Sequence, residues 1–326
     1  METRMVGHKG KKTGDCSTFP FSEERALAIR MAAETTTRNP LSLEEIRSGK
    51  VILRELPGHP IVSWPIYVPP RDPRGVKTGS EFECWKKPQE SKKGIPGYYF
   101  SLKRQDVLNC HSALEGRLLS FFDFCPFVLE ARSQYPAWRR EEYERYNREG
   151  WSFPKNKVLT VDFLLTLQVP GIPYNLYHAV SGKPFSLLHE ERVETRHSKE
   201  ISLVSQWSAS HEVMHEFTVS DTEYSNYLFL NQLMLYTNVS DYCFNAYLFA
   251  RNLMRSSAGG SLDRVVGMMG RRIGFSLDDS YRLFAVAIFL GYLEPDHRFK
   301  LDVDEPVFLL GRDKNKSAKS IRGHAL

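Results

Sequence analysis

The sequence has few cysteines, no long apolar run and no visible internal repeat, and these absences exclude several classes of protein. Its five cysteines are odd in number and show no Cys-x-x-Cys spacing, which argues against a disulfide framework and against a cysteine zinc site. The longest apolar stretch, residues 283–293, is too short to span a bilayer. Residues 1–12 lack the apolar region of a secretion signal. We therefore expect a cytoplasmic protein that does not contact a membrane.

What remains is a globular composition, with 326 residues of which 41% are hydrophobic and 25% are charged. This length suggests two or three domains. Helical and strand-like patterns alternate between His111 and Asp221 and indicate an α/β protein. A helix followed by a β-ribbon near the C-terminal end is typical of a winged helix. We predict four regions: a partly disordered N-terminal region that is a candidate accessory DNA- or partner-binding segment (1–94), an α/β core (95–240), a mostly helical, winged-helix-like domain (241–310) and a basic tail (311–326).

The C-terminal tail carries five cations against a single acid. Cations grouped in this way suit contacts with a phosphate backbone, because such contacts release counterions. A solvated tail without a ligand is the alternative, and composition alone does not separate the two. If the tail binds DNA, the protein is nucleoid-associated and its contacts come from Arg312, Lys314, Lys316, Lys319 and Arg322.

An ionisable residue interrupts the most strand-like segment of the chain, VLTVDFLLTL (residues 158–167). Side chains alternate across a strand, so Asp162 should share a face with Thr160, Leu164 and Thr166. The opposite face is wholly apolar and is predicted to be core. Asp162 should therefore lie on the less apolar face, where it opens on a cleft.

The next strand-like segment, LYHAVSGK, follows after a turn and ends at Lys183. An antiparallel hairpin would set Asp162 and Lys183 side by side. A partly buried carboxylate needs a cation or a metal ion nearby. A simple cross-strand ion pair is the alternative interpretation.

A second acid, Glu115, occupies a core-facing position on a predicted helix, because Leu118, Leu119 and Phe122 follow it at helical spacing. It could instead be an edge residue whose carboxylate reaches solvent. Two acids and a lysine, each on the inward side of its own element, suggest one shared site. Hard divalent cations such as Mg²⁺ prefer oxygen ligands of this kind.

The order of these residues resembles the restriction-endonuclease-like, PD-(D/E)xK nuclease fold, and more narrowly the TnsA family of endonuclease subunits of heteromeric bacterial transposases. The resemblance covers about residues 95–240. Three stretches carry it: HSALEGRLLSFFDFCPFVLEARSQYP, VLTVDFLL and YHAVSGKP.

The resemblance implies that Glu115, Asp162 and Lys183 are catalytic. The metal ligands would be Glu115, Asp162, the Gly182 backbone carbonyl and, through a water, Ser181. The family usually has Gln or Glu two residues before the lysine, where this chain has Ser181. That departure leaves open a catalytically weak scaffold that binds DNA without cutting it.

The resemblance also implies an activity and partners. The activity is Mg²⁺-dependent hydrolysis of a phosphodiester at the 5′ ends of a transposon, with Mn²⁺ as a substitute. The partners are double-stranded DNA, a DDE-type transposase subunit and a regulatory AAA+ ATPase.

A competing motif, HEVMH (residues 211–215), matches the HExxH zinc-peptidase pattern, in which two histidines on one helix face bind zinc. Here the segment runs into EFTVSD and is strand-like. Thr218 stands where the extended motif requires glycine, and Asp221 stands where it has a third histidine. We expect His215 to be a packed core histidine, and the peptidase remains a third hypothesis.

Overall fold

A computed structural model of the chain describes residues 40–87 and 95–312. Residues 1–39 of the N-terminal region that is predicted to be partly disordered lie outside the described residues. Four of the predicted DNA-binding cations, Lys314, Lys316, Lys319 and Arg322, also lie outside them. Within the described ranges, no helix combines the length and the apolarity needed to cross a membrane.

The described chain alternates helices and strands, and the α/β prediction is confirmed. The helices are α1 (Leu43–Arg47), α2 (Ala113–Phe124), α3 (Arg140–Arg148), α4 (Glu191–Ser205), α5 (Asp221–Met234), α6 (Val239–Arg255), α7 (Leu262–Arg272) and α8 (Leu277–Phe289). The strands are β1 (Gly97–Ser101), β2 (Asp106–Cys110), β3 (Val128–Ala137), β4 (Leu159–Leu167), β5 (Leu176–Gly182) and β6 (Ala209–Met214).

A four-stranded mixed sheet in the order β3-β4-β5-β6 forms the centre of the molecule. Strands β3, β4 and β5 are antiparallel neighbours, whereas β6 runs parallel to β5. Parallel neighbours need a crossover, and α4 supplies it. β1 and β2 form a separate antiparallel pair.

Strand β4 is buried on both faces, so the prediction that Asp162 lies on an open face is wrong. Every residue from Thr160 to Leu167 is buried. One face packs against α2. The other packs against α4 and against the chain around Phe82, which precedes β1. Strict alternation also fails, because Val161 and Leu164 belong to the same hydrophobic cluster.

The proline-rich segment before β1 (residues 55–87) has little regular structure, and it packs on the sheet through buried charge. Asp72 accepts hydrogen bonds from Arg132 (2.8 Å) and from the Tyr135 hydroxyl (2.6 Å). The Arg132 and Asp72 side chains are almost fully buried. Further along the segment, the Gly79 amide donates to Glu130 at 2.6 Å. The segment is therefore part of the sheet's packing.

The C-terminal helices share the main hydrophobic core with α2 and with one face of the sheet. Helix α8 is buried from Ser280 to Phe289 except at Arg282. The expected β-ribbon is reduced to two isolated antiparallel bridges, Ser261↔Pro306 and Pro295↔Leu309. A proline in each bridge has no amide hydrogen to donate, which prevents a continuous ladder.

The buried Asp72–Arg132 pair gives a direct test of how the N-terminal segment is held. Asp72→Ala should lower the free energy of unfolding by about 3–5 kcal/mol, because it leaves the Arg132 charge buried without its closest partner. Glu81→Ala, which removes an exposed pair with Lys77, should change it by only about 0.5 kcal/mol. Chemical denaturation measures both, and equal effects would contradict this account of the packing.

Candidate active site

The structure places Asp162 and Lys183 side by side, as the hairpin pattern predicted. The Lys183 Nζ lies 2.8 Å from Asp162 Oδ2, and the Gly182 amide donates to the same oxygen at 2.9 Å. β4 and β5 pair up to Phe163↔Val180, and the pair lies just beyond that register. Asp162 is only 8% exposed, so this lysine balances a carboxylate that water barely reaches.

The end of β5 is fixed by two close contacts. A side chain at Gly182 would come within 3.3 Å of Leu118 on α2, so the absence of one lets the strand and the helix approach. The Lys183 amide donates to the Met214 carbonyl of β6 at 2.9 Å. The Lys183 Nζ also donates to the Gly182 carbonyl at 2.9 Å. The lysine therefore lies over the end of its own strand.

Glu115 is buried at the start of α2, at 5% exposure, and part of the reason is helix capping. Ser112 is the N-cap residue, and its hydroxyl accepts from the Glu115 amide. The Glu115 carboxylate accepts from the His111 amide at 2.9 Å and from the Ser112 hydroxyl at 3.1 Å. A third donor, the Gln134 amide group on β3, lies 3.3 Å away. The spacing of Ser112 and Glu115 is itself a helix-capping signal that can be read from the sequence.

The two acids interact electrostatically. Burial raises the pKa of Glu115 to about 7, with the negative charge of Asp162 as the second cause, and the hydrogen bonds that it accepts only partly oppose this shift. Near neutral pH, Glu115 therefore lies close to the midpoint of its titration. A cation between the two carboxylates would remove their repulsion.

The oxygen atoms of Glu115, Asp162 and Gly182 suit an open site for a hard divalent cation better than a site closed entirely by protein ligands. Across residues 40–87 and 95–312, no group of three or more His, Cys, Asp or Glu side chains is arranged to hold a metal ion. Glu115, Asp162 and the Gly182 carbonyl offer oxygen ligands only. Mg²⁺ usually keeps several waters and takes one or two carboxylates, so this set suits it.

Ser181 belongs to a different network from the one proposed for it. It is 0% exposed, and its hydroxyl donates to Glu200 of α4 at 2.5 Å. Glu200 also contacts His211 at 3.2 Å and Arg196 at 2.7 Å. Burial raises the pKa of Glu200, but hydrogen bonds from His211 and Ser181 and the charge of Arg196 outweigh it and lower the value to about 2.

Sequence reasoning missed Glu200, although a signal was present. Glu200 follows Val193 by seven residues and precedes Val204 by four, and both valines are buried. An acid at this spacing lies on the inward stripe of an amphipathic helix. Glu115 was identified because it lies at helical spacing from core-facing apolar residues, and Glu200 meets the same criterion.

The two histidines of the HExxH pattern lie in different surroundings. The segment forms strand β6, as predicted, and not the helix that the peptidase geometry requires. His211 faces Glu200, whereas His215 lies beyond the strand beside Phe185 and Phe217, with ring centroids 5.2 and 5.8 Å away. His215 is half-buried, so the prediction of a core histidine is wrong.

Arg312 is the predicted DNA-binding cation that the structure describes. Its guanidinium donates to the carbonyls of Ala258 (2.6 Å) and Ser256 (3.3 Å), in the loop between α6 and α7. Burial lowers its pKa. The structure therefore places Arg312 against the helical domain.

No family model matches this chain, and no curated protein matches it either.

The raised pKa of Glu115 predicts a pH dependence of stability. The folded state holds this proton up to about pH 7, whereas an unfolded glutamate releases it near its ordinary value of about 4.3. The stabilisation is complete below the unfolded value and is lost as the pH rises through the folded one. Wild-type protein in a chelator should therefore lose about 2 kcal/mol relative to Glu115→Gln between pH 5 and 8. Denaturation at both pH values measures this difference, and parallel behaviour would contradict the shift.

Proposed function

We propose that this protein is a Mg²⁺-dependent DNA endonuclease that hydrolyses a phosphodiester, with Glu115, Asp162 and Lys183 as its catalytic residues. One observation carries the proposal: two buried carboxylates from α2 and β4 repel each other beside a lysine that lies 2.8 Å from Asp162. If the Asp162–Lys183 ion pair had only a structural role, it would not need Glu115 as a second buried acid beside it. The element order α2-β3-α3-β4-β5-α4-β6 is compatible with a restriction-endonuclease-like core.

Each residue has a distinct role in this proposal. Glu115, Asp162 and the Gly182 carbonyl would hold Mg²⁺, with Mn²⁺ as a substitute. When bound, such an ion neutralises phosphate charge and lowers the pKa of a water. Lys183 is placed to donate from Nζ to a phosphate oxygen, where it would stabilise the negative charge that develops there. Before substrate arrives, the same Nζ balances Asp162.

The substrate and partners are proposed from the resemblance alone. They are double-stranded DNA at transposon ends, cut at the 5′ ends, a DDE-type transposase subunit and a regulatory AAA+ ATPase. The location would then be the nucleoid. Lys314, Lys316, Lys319 and Arg322 would add contacts with phosphates that do not depend on base sequence.

A second candidate function is a DNA-binding scaffold with weak or no cleavage. The observation that favours it is the Ser181 hydroxyl, which donates to Glu200 and so is committed to another carboxylate. A site with one fewer ligand would bind its metal ion more weakly.

Removing the Asp162 charge tests the catalytic assignment. Asp162→Asn should lower DNA cleavage by at least about 100-fold, since the loss of a metal ligand costs several kcal/mol of transition-state stabilisation. DNA binding should stay the same or tighten, because one acid near the phosphates is gone. Asp241→Asn, an exposed acid on α6, is the matched control and should behave as wild type.

Cleavage is followed on labelled DNA with Mg²⁺ or Mn²⁺, alone and with a transposase partner. Mn²⁺ affinity, from its paramagnetic resonance signal, should fall in Asp162→Asn and hold in Asp241→Asn. Full cleavage by Asp162→Asn would refute the nuclease. A wild-type protein that binds DNA but never cuts it would favour the scaffold.

Deleting residues 313–326 tests the tail and spares Arg312 and its contacts. The deletion should weaken binding about equally for all DNA sequences. It should also reduce the slope of log affinity against log salt by about 3 or 4, since four lysines and arginines are lost. Fluorescence anisotropy at several salt concentrations measures the slope. An unchanged slope would show that the tail does not contact phosphates.

A further inference from the structure

Gln134 adopts an unusual backbone conformation in the middle of strand β3. Its φ is +48°, in the left-handed region that residues other than glycine seldom occupy. The residues on either side of it are regularly paired, as Ser133↔Phe163 and Tyr135↔Val161. Gln134 therefore lies directly across from Asp162, at the point where the alternation of β4 breaks.

The side chain of Gln134 links α2 to the sheet. It is 3% exposed, and its amide donates to the Glu115 carboxylate at 3.3 Å. The other two donors to this carboxylate, His111 and Ser112, belong to the start of α2 itself. The contact from Gln134 thus fixes Glu115 relative to β3, the strand that pairs with the one that carries Asp162.

The choice of residue is informative. A bend that only the backbone required would be met most easily by glycine, and next by asparagine. Glutamine gains nothing there unless its longer side chain is used. Its amide also orients a carboxylate without adding a positive charge, so the attraction of the two acids for a cation is preserved. Strain of this kind is typical of functional sites.

We propose that Gln134 is a positioning residue of the active site, which sets the Glu115 carboxylate opposite Asp162 in the arrangement that binds the divalent cation. This inference rests on the proposed function. It assigns to Gln134 a role in metal affinity and turnover and none in contact with DNA.

Gln134→Gly separates the backbone from the amide. Glycine relieves the left-handed conformation, so thermal stability should be unchanged or higher. The loss of the amide should weaken Mn²⁺ affinity about tenfold or more, the usual effect of removing a residue that orients a metal ligand. The rate constant kcat should fall with it, while KM for DNA stays constant.

The chain offers a matched control in Gln105, which also has a positive φ, +54°. It lies in the turn between β1 and β2, and its amide donates to the Leu102 carbonyl. Gln105→Gly should leave Mn²⁺ affinity and cleavage at the wild-type level. Gln134→Asn keeps a residue that tolerates this backbone but shortens the side chain by one methylene, so it should reproduce the loss seen with glycine.

The outcomes distinguish the inference from the proposed function. If Asp162→Asn is inactive while Gln134→Gly and Gln134→Asn bind Mn²⁺ and cleave as wild type, the positioning role is overturned and the nuclease stands. If Gln134→Gly and Gln134→Asn both lose thermal stability, and their Mn²⁺ affinity falls in proportion to that loss, Gln134 has a purely structural role. If Asp162→Asn itself cleaves DNA, the proposed function fails. The Mn²⁺ measurement reports on Gln134 independently of cleavage.

Discussion

Asp162 lies in a strand that is buried on both faces, so its charge must be compensated from inside the protein. Coulomb interactions are strong where water is scarce, and an unpaired carboxylate would be costly there. The Lys183 ammonium and the Gly182 amide supply the compensation on one oxygen. Both come from the end of β5, so the hairpin register and the close approach of α2 to Gly182 are conditions for keeping this acid buried.

Much of this arrangement follows from local sequence patterns. The α/β pattern, the antiparallel hairpin that joins Asp162 to Lys183 and the inward position of Glu115 depend on periodicity and turn chemistry, which act over a few residues. The strand at His211 was predicted for the same reason. These features are the most accessible to reasoning from sequence, because neighbours along the chain determine them.

What sequence reasoning missed depends on contacts between distant segments. The second face of β4 is buried because α4 and the proline-rich segment held by Asp72 pack against it. The sequence of the strand itself does not indicate either contact. The partner of Ser181, Glu200, comes from the next helix. Gln134 does not have the extended backbone conformation expected within a strand. Its hydrogen bond to Glu115, a residue distant in sequence, accounts for this departure.

Two networks of charged side chains lie near β5, one around Glu200 and one around Glu115 and Asp162. They differ in how completely their negative charge is compensated. Glu200 has a cation, Arg196, as well as donors from His211 and Ser181. The pKa of Glu200 is low, as expected for a satisfied structural acid. Lys183 is paired with Asp162, whereas Glu115 accepts hydrogen bonds from His111, Ser112 and Gln134 and its pKa is raised. An incompletely balanced pair of buried acids is unfavourable to folding alone. A cation bound between the two carboxylates would offset that cost, whereas Glu200 already has its charge balanced by Arg196 and needs no further ligand.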